Sequence, residues 1–242
     1  MPDIDPLKRV RIVLCEPVHP GNIGAAARAM KTMGLSNLHL VNPARFPDPE
    51  SEWRASRATD VLESAQVHET LDDALHGVAF AVACSARLRD ISVPAVSARA
   101  AAARVIEVAR SQDAALVFGN ETYGLTTARV NKCRLLASIP ANPTYASLNL
   151  AAAVQVFAYE IRVAAEPGQP YAASSQLATH EKIEAFYEHL EDVMARIGFL
   201  DPAHPKKLMP RLRRLFGRAQ LEEEEVNILR GILKALAEPK KK

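Results

Sequence analysis

The sequence predicts an α/β domain with a mostly parallel sheet over residues 1–165, a linker at 166–177 and a small all-α domain at 178–242. Three observations predict it. Short, continuously apolar runs alternate with helical stretches up to residue 165, as in sheets covered on both faces. The stretch EPGQPYAASSQ (166–176) then breaks the pattern with prolines, glycine and serines. Beyond it every apolar repeat has helical spacing.

VRIVLCEP (10–17) reads as a buried strand. In HPGNIGAAARAMKTMG, Asn22 reads as the N-cap of a helix over 22–33 and Gly34 as its stop. Ile23, Ala26, Ala27, Met30 and Met33 share its core face. Arg28 points away from that face, about 140° from Ile23. It leans back over Gly24, which has no side chain to block it. Its cation is thereby brought towards the positive end of the helix dipole, a conflict that a nearby anion would relieve.

LHLVNP (38–43) is a second strand and AQVH (65–68) a weak third. TLDD, from Thr70, opens a short helix like a capping box and ends near Gly77. VAFAVACSA (78–86) is a central strand, and SARAAAARVIEVAR (97–110) a helix capped by Ser97. ALVFGN (115–120) and LLASIP (135–140) are further strands. SLNLAAAVQVFAYEIRVAA (147–165) is apolar on nearly every side, so it is expected to pack on the sheet and on another subunit. Three helices follow, at 180–197, 205–217 and 221–237; stripes such as Leu221, Val226, Leu229, Ile232, Leu233 and Leu236 are expected to close their core.

The net charge of +2 neither demands nor excludes a nucleic-acid partner, because local patches matter more. Cys15, Cys84 and Cys133 are far apart, with no C-x-x-C, which argues against disulfides and against a metal site. MPDIDPLKRV has no apolar leader core, and no run of eighteen apolar residues exists, so a cytoplasmic protein without a membrane partner is expected. The glycine-rich stretches G-N-I-G and G-N-E-T-Y-G lack dinucleotide-fingerprint spacing, which weakens an oxidoreductase reading.

Three polar or glycine-rich loops follow strands, where α/β sheets bind ligands. They are N-I-G-A-A-A-R (22–28), F-G-N-E-T-Y-G-L (118–125) and I-P-A-N-P-T-Y-A-S-L-N-L-A-A-A-V (139–154). In this order they resemble the three motifs of the SpoU-type RNA 2′-O-ribose methyltransferases of the SPOUT superfamily. The resemblance spans residues 8–165. E-P-x-x-P-G-N-I-G, C-S-A-R-L-R-D (84–90) and the helical extension are most similar to the TrmJ branch, which methylates nucleotide 32 of the tRNA anticodon loop. Cys84 stands where that branch has threonine, leaving backbone rather than side-chain contacts there.

The resemblance implies a trefoil knot through residues 115–150 with S-adenosylmethionine as cofactor. The segments around Cys84, Ser85 and Ala86, then Gly119, Ile139, Ala146, Ser147 and Leu148 would hold it. It implies a homodimer in which Arg28 reaches the partner's pocket, beside the reacting ribose. Arg28 is then either the base or, because guanidinium groups keep their protons, the group that holds phosphate and developing alkoxide. Asn22, Glu121, Ser147 and Asn149 are expected to orient the reacting groups. For RNA contact the cations are Arg87 and Arg89 beside the pocket, Arg54 and Arg57 near Trp53, and the stripe Lys206, Lys207, Arg211, Arg213, Arg214 and Arg218. A methyltransferase acting on another tRNA or rRNA position, and a non-catalytic RNA-binding protein of the same fold, are the alternatives.

Overall fold

The computed structural model describes residues 5–87, 93–165 and 177–237. A short 3-10 turn (Pro6–Arg9), capped by Asp5, leads into β1 (Val10–Cys15). Then come α1 (Pro20–Thr32), β2 (Asn37–Val41), α2 (Pro49–Ala55), α3 (Thr59–Glu63), β3 (Gln66–His68) and α4 (Leu71–Leu75). β4 (Val78–Cys84), β5 (Ala95–Ser97), α5 (Ala98–Ala109), β6 (Asp113–Phe118), α6 (Thr127–Asn131), β7 (Leu135–Ser138) and α7 (Leu150–Ala165) complete the α/β layer. α8 (His180–Arg196), α9 (Leu208–Ala219) and α10 (Glu223–Ala237) form the helical region.

The sheet has seven strands in the order β3-β2-β1-β6-β4-β7-β5. Every pairing described is parallel. Alternation along β1 shows how one strand serves both faces. Ile12 and Leu14 join Ile23 and Met30 of α1, Val105 of α5 and Phe157 of α7 in one core. Val13 and Cys15 face Leu71 and Leu75 of α4 and Val130 of α6. All seven residues of β4 are buried, as expected of a central strand. β6 lies between β1 and β4, and β7 lies beyond β4, so the carboxyl ends of β4, β6 and β7 are neighbours.

Thr70 closes a full capping box with Asp73, and Ser97 caps α5. Two sequence expectations are corrected. The N-cap of α1 is His19, and Asn22 lies inside the first turn with its side chain free for other work. α7 starts at Leu150, not at residue 147, and buries Val154 and Phe157 (0% and 2% exposed) in the core of this chain. Its exposed large apolar residues are Tyr159 and Val163.

α8, α9 and α10 share a small core of Phe186, Tyr187, Val193, Val226 and Leu233. Ile232 and Leu236, expected in that core, are each 52% exposed. The helices dock at the amino ends of the strands. Gln112, just before β6, donates to the Leu177 carbonyl at 2.8 Å and accepts from its N–H at 2.9 Å. Arg134, just before β7, donates to the Ala178 and Leu221 carbonyls. The linker over 166–176 and the lysine tail lie outside the described residues.

Candidate active site

The loops after β4, β6 and β7 enclose a cavity of about 330 Å³, within the size range of small-molecule sites. Its walls carry all eight residues expected to hold the cofactor, from the Cys84–Ala86 and Ala146–Leu148 segments, Gly119 and Ile139. Arg87 and Glu121 also line it. Phe118, Leu150 and Phe157 add an apolar side, and Phe118 and Phe157 meet edge to face at 5.5 Å.

Gly119 has a reason that the sequence reading did not foresee. A Cβ there would lie 2.1 Å from the Gly124 carbonyl carbon and 2.2 Å from the Leu125 nitrogen. The close approach is the loop's own return, closed by Gly124 N–H donating to Asn120 O at 2.8 Å. The thiol of Cys84 lies only 3.9 Å from Val82 O, and burial pushes its pKa well up, so it is an inert wall group.

Glu121 joins two of the loops. Its carboxylate accepts from Val18 N–H at 2.9 Å, His19 N–H at 3.2 Å and the Asn22 amide at 2.9 Å. Burial opposes its ionisation, but these donors outweigh burial and lower its pKa. It thus sits as an anion at the N-terminus of α1. Asn22 in turn accepts from the Asn149 amide at 2.8 Å, which brings in the third loop. Ser147 lines the cavity two residues before.

Arg28 is exposed and does not line this cavity. Among the described residues its guanidinium has no hydrogen-bond or ion-pair partner. The space over Gly24 is not left for Arg28: a Cβ there would meet the Ser51 carbonyl oxygen at 2.0 Å. Gly24 is small so that α2 can lie directly on α1.

A second cluster escaped the sequence reading. Glu16, at φ 52°, pairs with Arg129 through two hydrogen bonds, at 2.5 and 3.0 Å, and accepts from the Tyr123 hydroxyl. The Arg129 guanidinium, then Tyr123, hold the Glu16 carboxyl down at about 2. The Glu16 carbonyl also accepts from Asn120 at 2.7 Å. Side chain and backbone of one residue therefore anchor the loop over 119–125. Glu16 opens the stretch E-P-x-x-P-G-N-I-G, ahead of the first motif, but its partners lie more than a hundred positions on.

The remaining RNA-contact candidates are elsewhere. Lys206, Lys207 and Arg211 line an open cavity of about 770 Å³ beside α9, with Phe199 and His204. Arg214 is exposed on α9. None of these residues lines the first cavity. Arg213 is not a surface cation: it pairs with Glu184 at 2.8 Å and lies 4.3 Å over the Tyr187 ring. Arg89 lies outside the described residues. Among the described residues no His, Cys, Asp or Glu cluster is arranged to hold a metal, and no helix is long and apolar enough to cross a membrane.

Known proteins resemble this chain in sequence and fold. The SpoU rRNA methylase family pattern matches residues 9–159, and that of the C-terminal domain of the tRNA methyltransferase TrmJ matches 181–242. A Pseudomonas aeruginosa protein named tRNA (cytidine/uridine/adenosine-2′-O-)-methyltransferase TrmJ is 46% identical over 239 residues, covering 94% of this chain and 93% of its own. A Pectobacterium atrosepticum protein named tRNA (cytidine/uridine-2′-O-)-methyltransferase TrmJ is 46% identical over 234 residues, covering 95% and 97%. The crystal structure of TrmJ from Z. mobilis ZM4 superposes with a TM-score of 0.82 at 34% identity, covering 93% of this chain and 98% of that one. The chain belongs to the SpoU family of RNA 2′-O-methyltransferases, in its TrmJ branch.

Proposed function

We propose that the protein is a cytoplasmic tRNA 2′-O-methyltransferase that uses S-adenosylmethionine and acts on cytidine or uridine at position 32 of the anticodon loop. The observation that carries this reading is that the second and third motif loops line one cavity and are tied, through Glu121 and Asn149 to Asn22, to the first-motif helix that bears Arg28. The superfamily's trefoil knot, through 115–150, belongs to the same reading, as do domains over 1–165 and 178–242.

When bound, S-adenosylmethionine supplies a methyl carbon on a sulfonium, already activated for displacement by a ribose 2′-oxygen. The protein's own task is alignment and charge control. The backbone of 84–86, Gly119, Ile139 and 146–148 holds the cofactor. Asn22 and Asn149, each fixed by a partner, orient the ribose. Arg28, free of partners in its own subunit, crosses to the site of a second copy, where it holds phosphate and stabilises the attacking oxygen as that oxygen's proton passes to water or to the phosphate. The exposed cations Lys206, Lys207, Arg211 and Arg214 engage the RNA away from the reacting nucleotide, so affinity falls steeply with salt.

The test is transfer of labelled methyl from S-adenosylmethionine to bulk tRNA, with mapping of 2′-O-methyls. Methylation at nucleotide 32 is expected. Methylation elsewhere overturns the position, and cofactor binding without transfer overturns the enzyme.

A further inference from the structure

Trp53 is the single tryptophan of the chain, and the residue is 83% exposed. Large rings usually bury 150–250 Å² in cores or interfaces. Among the described residues no ring or cation stacks on this one. Its position is nonetheless fixed. α2 is seven residues long, too short to persist alone. It is held by the Asp48 carboxylate, which accepts from Glu50 N–H at 2.9 Å, and by Ser51 Oγ, which donates to the Pro20 carbonyl at 3.1 Å. Gly24 of α1 lies directly under the Ser51 carbonyl and the Ala55 nitrogen. Ser51 and Ala55 are the buried side of α2, and Trp53, about 200° from each, faces outward.

The charges around it are unequal. Lys31 is paired with Asp60 at 2.8 Å, and Arg45 lies 3.7 and 3.8 Å from Asp48 and Glu50. The guanidinium groups of Arg28, Arg54 and Arg57 have no ion-pair or hydrogen-bond partner among the described residues. Glu52 is the one acidic group of α2 without a partner there. Arg54 rests its stem beside Gly21, so the cations begin at the first turn of the motif helix. A rigid, outward aromatic face among unsatisfied guanidinium groups is the equipment that single-stranded nucleic acid requires: the ring stacks a base and the arginines take flanking phosphates.

We propose that Trp53 is a stacking platform for an unpaired base of the RNA substrate, with Arg54 and Arg57 on the adjoining phosphates. The proposal rests on the RNA methyltransferase reading above. It names a contact on α2, outside the three motifs and outside the helical region. Because α2 is pressed onto α1, a base stacked there has a fixed place relative to Asn22 and Arg28. Trp53 touches substrate without touching the reacting atoms, so it acts on tRNA binding rather than on the chemical step.

A sole tryptophan makes the test direct. Intrinsic fluorescence of the full chain is titrated with tRNA, and methyl transfer is measured for wild type, Trp53→Ala and Trp53→Phe. Saturating tRNA should quench the fluorescence. Trp53→Ala should raise the KM for tRNA by about 5- to 150-fold, as loss of one stacked base requires. Its kcat at saturating tRNA should stay within about 2-fold, and S-adenosylmethionine affinity should be unchanged. Trp53→Phe should restore most of the KM, because it keeps a ring. Equal KM values for wild type and Trp53→Ala, or no quenching, overturn the platform while wild-type transfer leaves the enzyme reading intact. A Trp53→Ala protein that light scattering finds newly monomeric also overturns it, and makes the ring a subunit contact. Absence of transfer to tRNA by wild type overturns both.

Discussion

Asn149 donates its side-chain amide to Asn22 at 2.8 Å, and its own side-chain oxygen accepts from Ala151 and Ala152 N–H at 2.9 and 3.4 Å. One side chain caps α7 and fixes Asn22 on α1, the residue proposed to orient the ribose. The two jobs use different atoms, so they separate by substitution. Asn149→Asp keeps the cap but sets a carboxylate against an acceptor. It should stay within about 1 kcal/mol of wild-type stability, since Asn and Asp cap equally well. Methyl transfer should fall by about 100-fold, the usual cost of displaced reacting groups. Thermal melts and single-turnover rates measure both. Full activity in Asn149→Asp would reduce Asn149 to a helix cap.

Arg28→Ala should fold with stability within about 0.5 kcal/mol of wild type, because the side chain is exposed and unpartnered. It should bind S-adenosylmethionine normally and lose transfer by about 100-fold or more. Arg28→Lys should not rescue, because an ammonium lacks the planar fork. Mixed dimers of Arg28→Ala and Asn149→Ala subunits should regain part of the activity. No regain in a verified mixed dimer removes the shared site.

Charge placed on the outer side of α7 should separate subunits. Tyr159→Glu and Val163→Glu are expected to give folded monomers by light scattering, with transfer lost. Phe157→Ala is expected to unfold the protein instead, costing about 3–5 kcal/mol, because Phe157 fills its own subunit's core. Active monomers of Tyr159→Glu would refute an α7 interface.

The Glu16 carboxyl is held at about 2 in the fold, against an ordinary 4.5. A depressed carboxyl stabilises the fold above its unfolded pKa. The contribution is complete above pH 4.5 and is lost as pH falls towards 2. Glu16→Gln should therefore be less stable at pH 7, with the two melting curves converging as pH nears 2. Cofactor affinity at pH 7 should weaken with it, because Glu16 anchors the loop over 119–125. Parallel curves across that window would show that the Arg129 pair adds nothing.

Long or strongly patterned elements were legible. β4 and α5 announce themselves by an unbroken apolar run and by a capped helical repeat. α2, α3, β5 and α6 were not resolved as elements, being three to seven residues long and held by packing rather than propensity. The cavity was legible because its walls are contiguous loops at strand ends. Glu16 with Arg129 was not, because the pair is 113 positions apart and neither residue carries a local signal. The reading of Gly24 went wrong for a related reason. Sequence shows that a glycine leaves room, and only the packed α2 shows who takes it.

The receptor side of the helical region's docking is read through main-chain groups. Gln112 and Arg134 grip the peptide units of Leu177, Ala178 and Leu221, whatever side chains those positions bear. The joint therefore tolerates drift on one side and not on the other. Substitutions at 177, 178 and 221 that preserve burial leave the grip intact, whereas loss of either Gln112 or Arg134 leaves buried peptide groups unanswered. A helical module transplanted from a relative would seat on this sheet provided its backbone arrives at the same place.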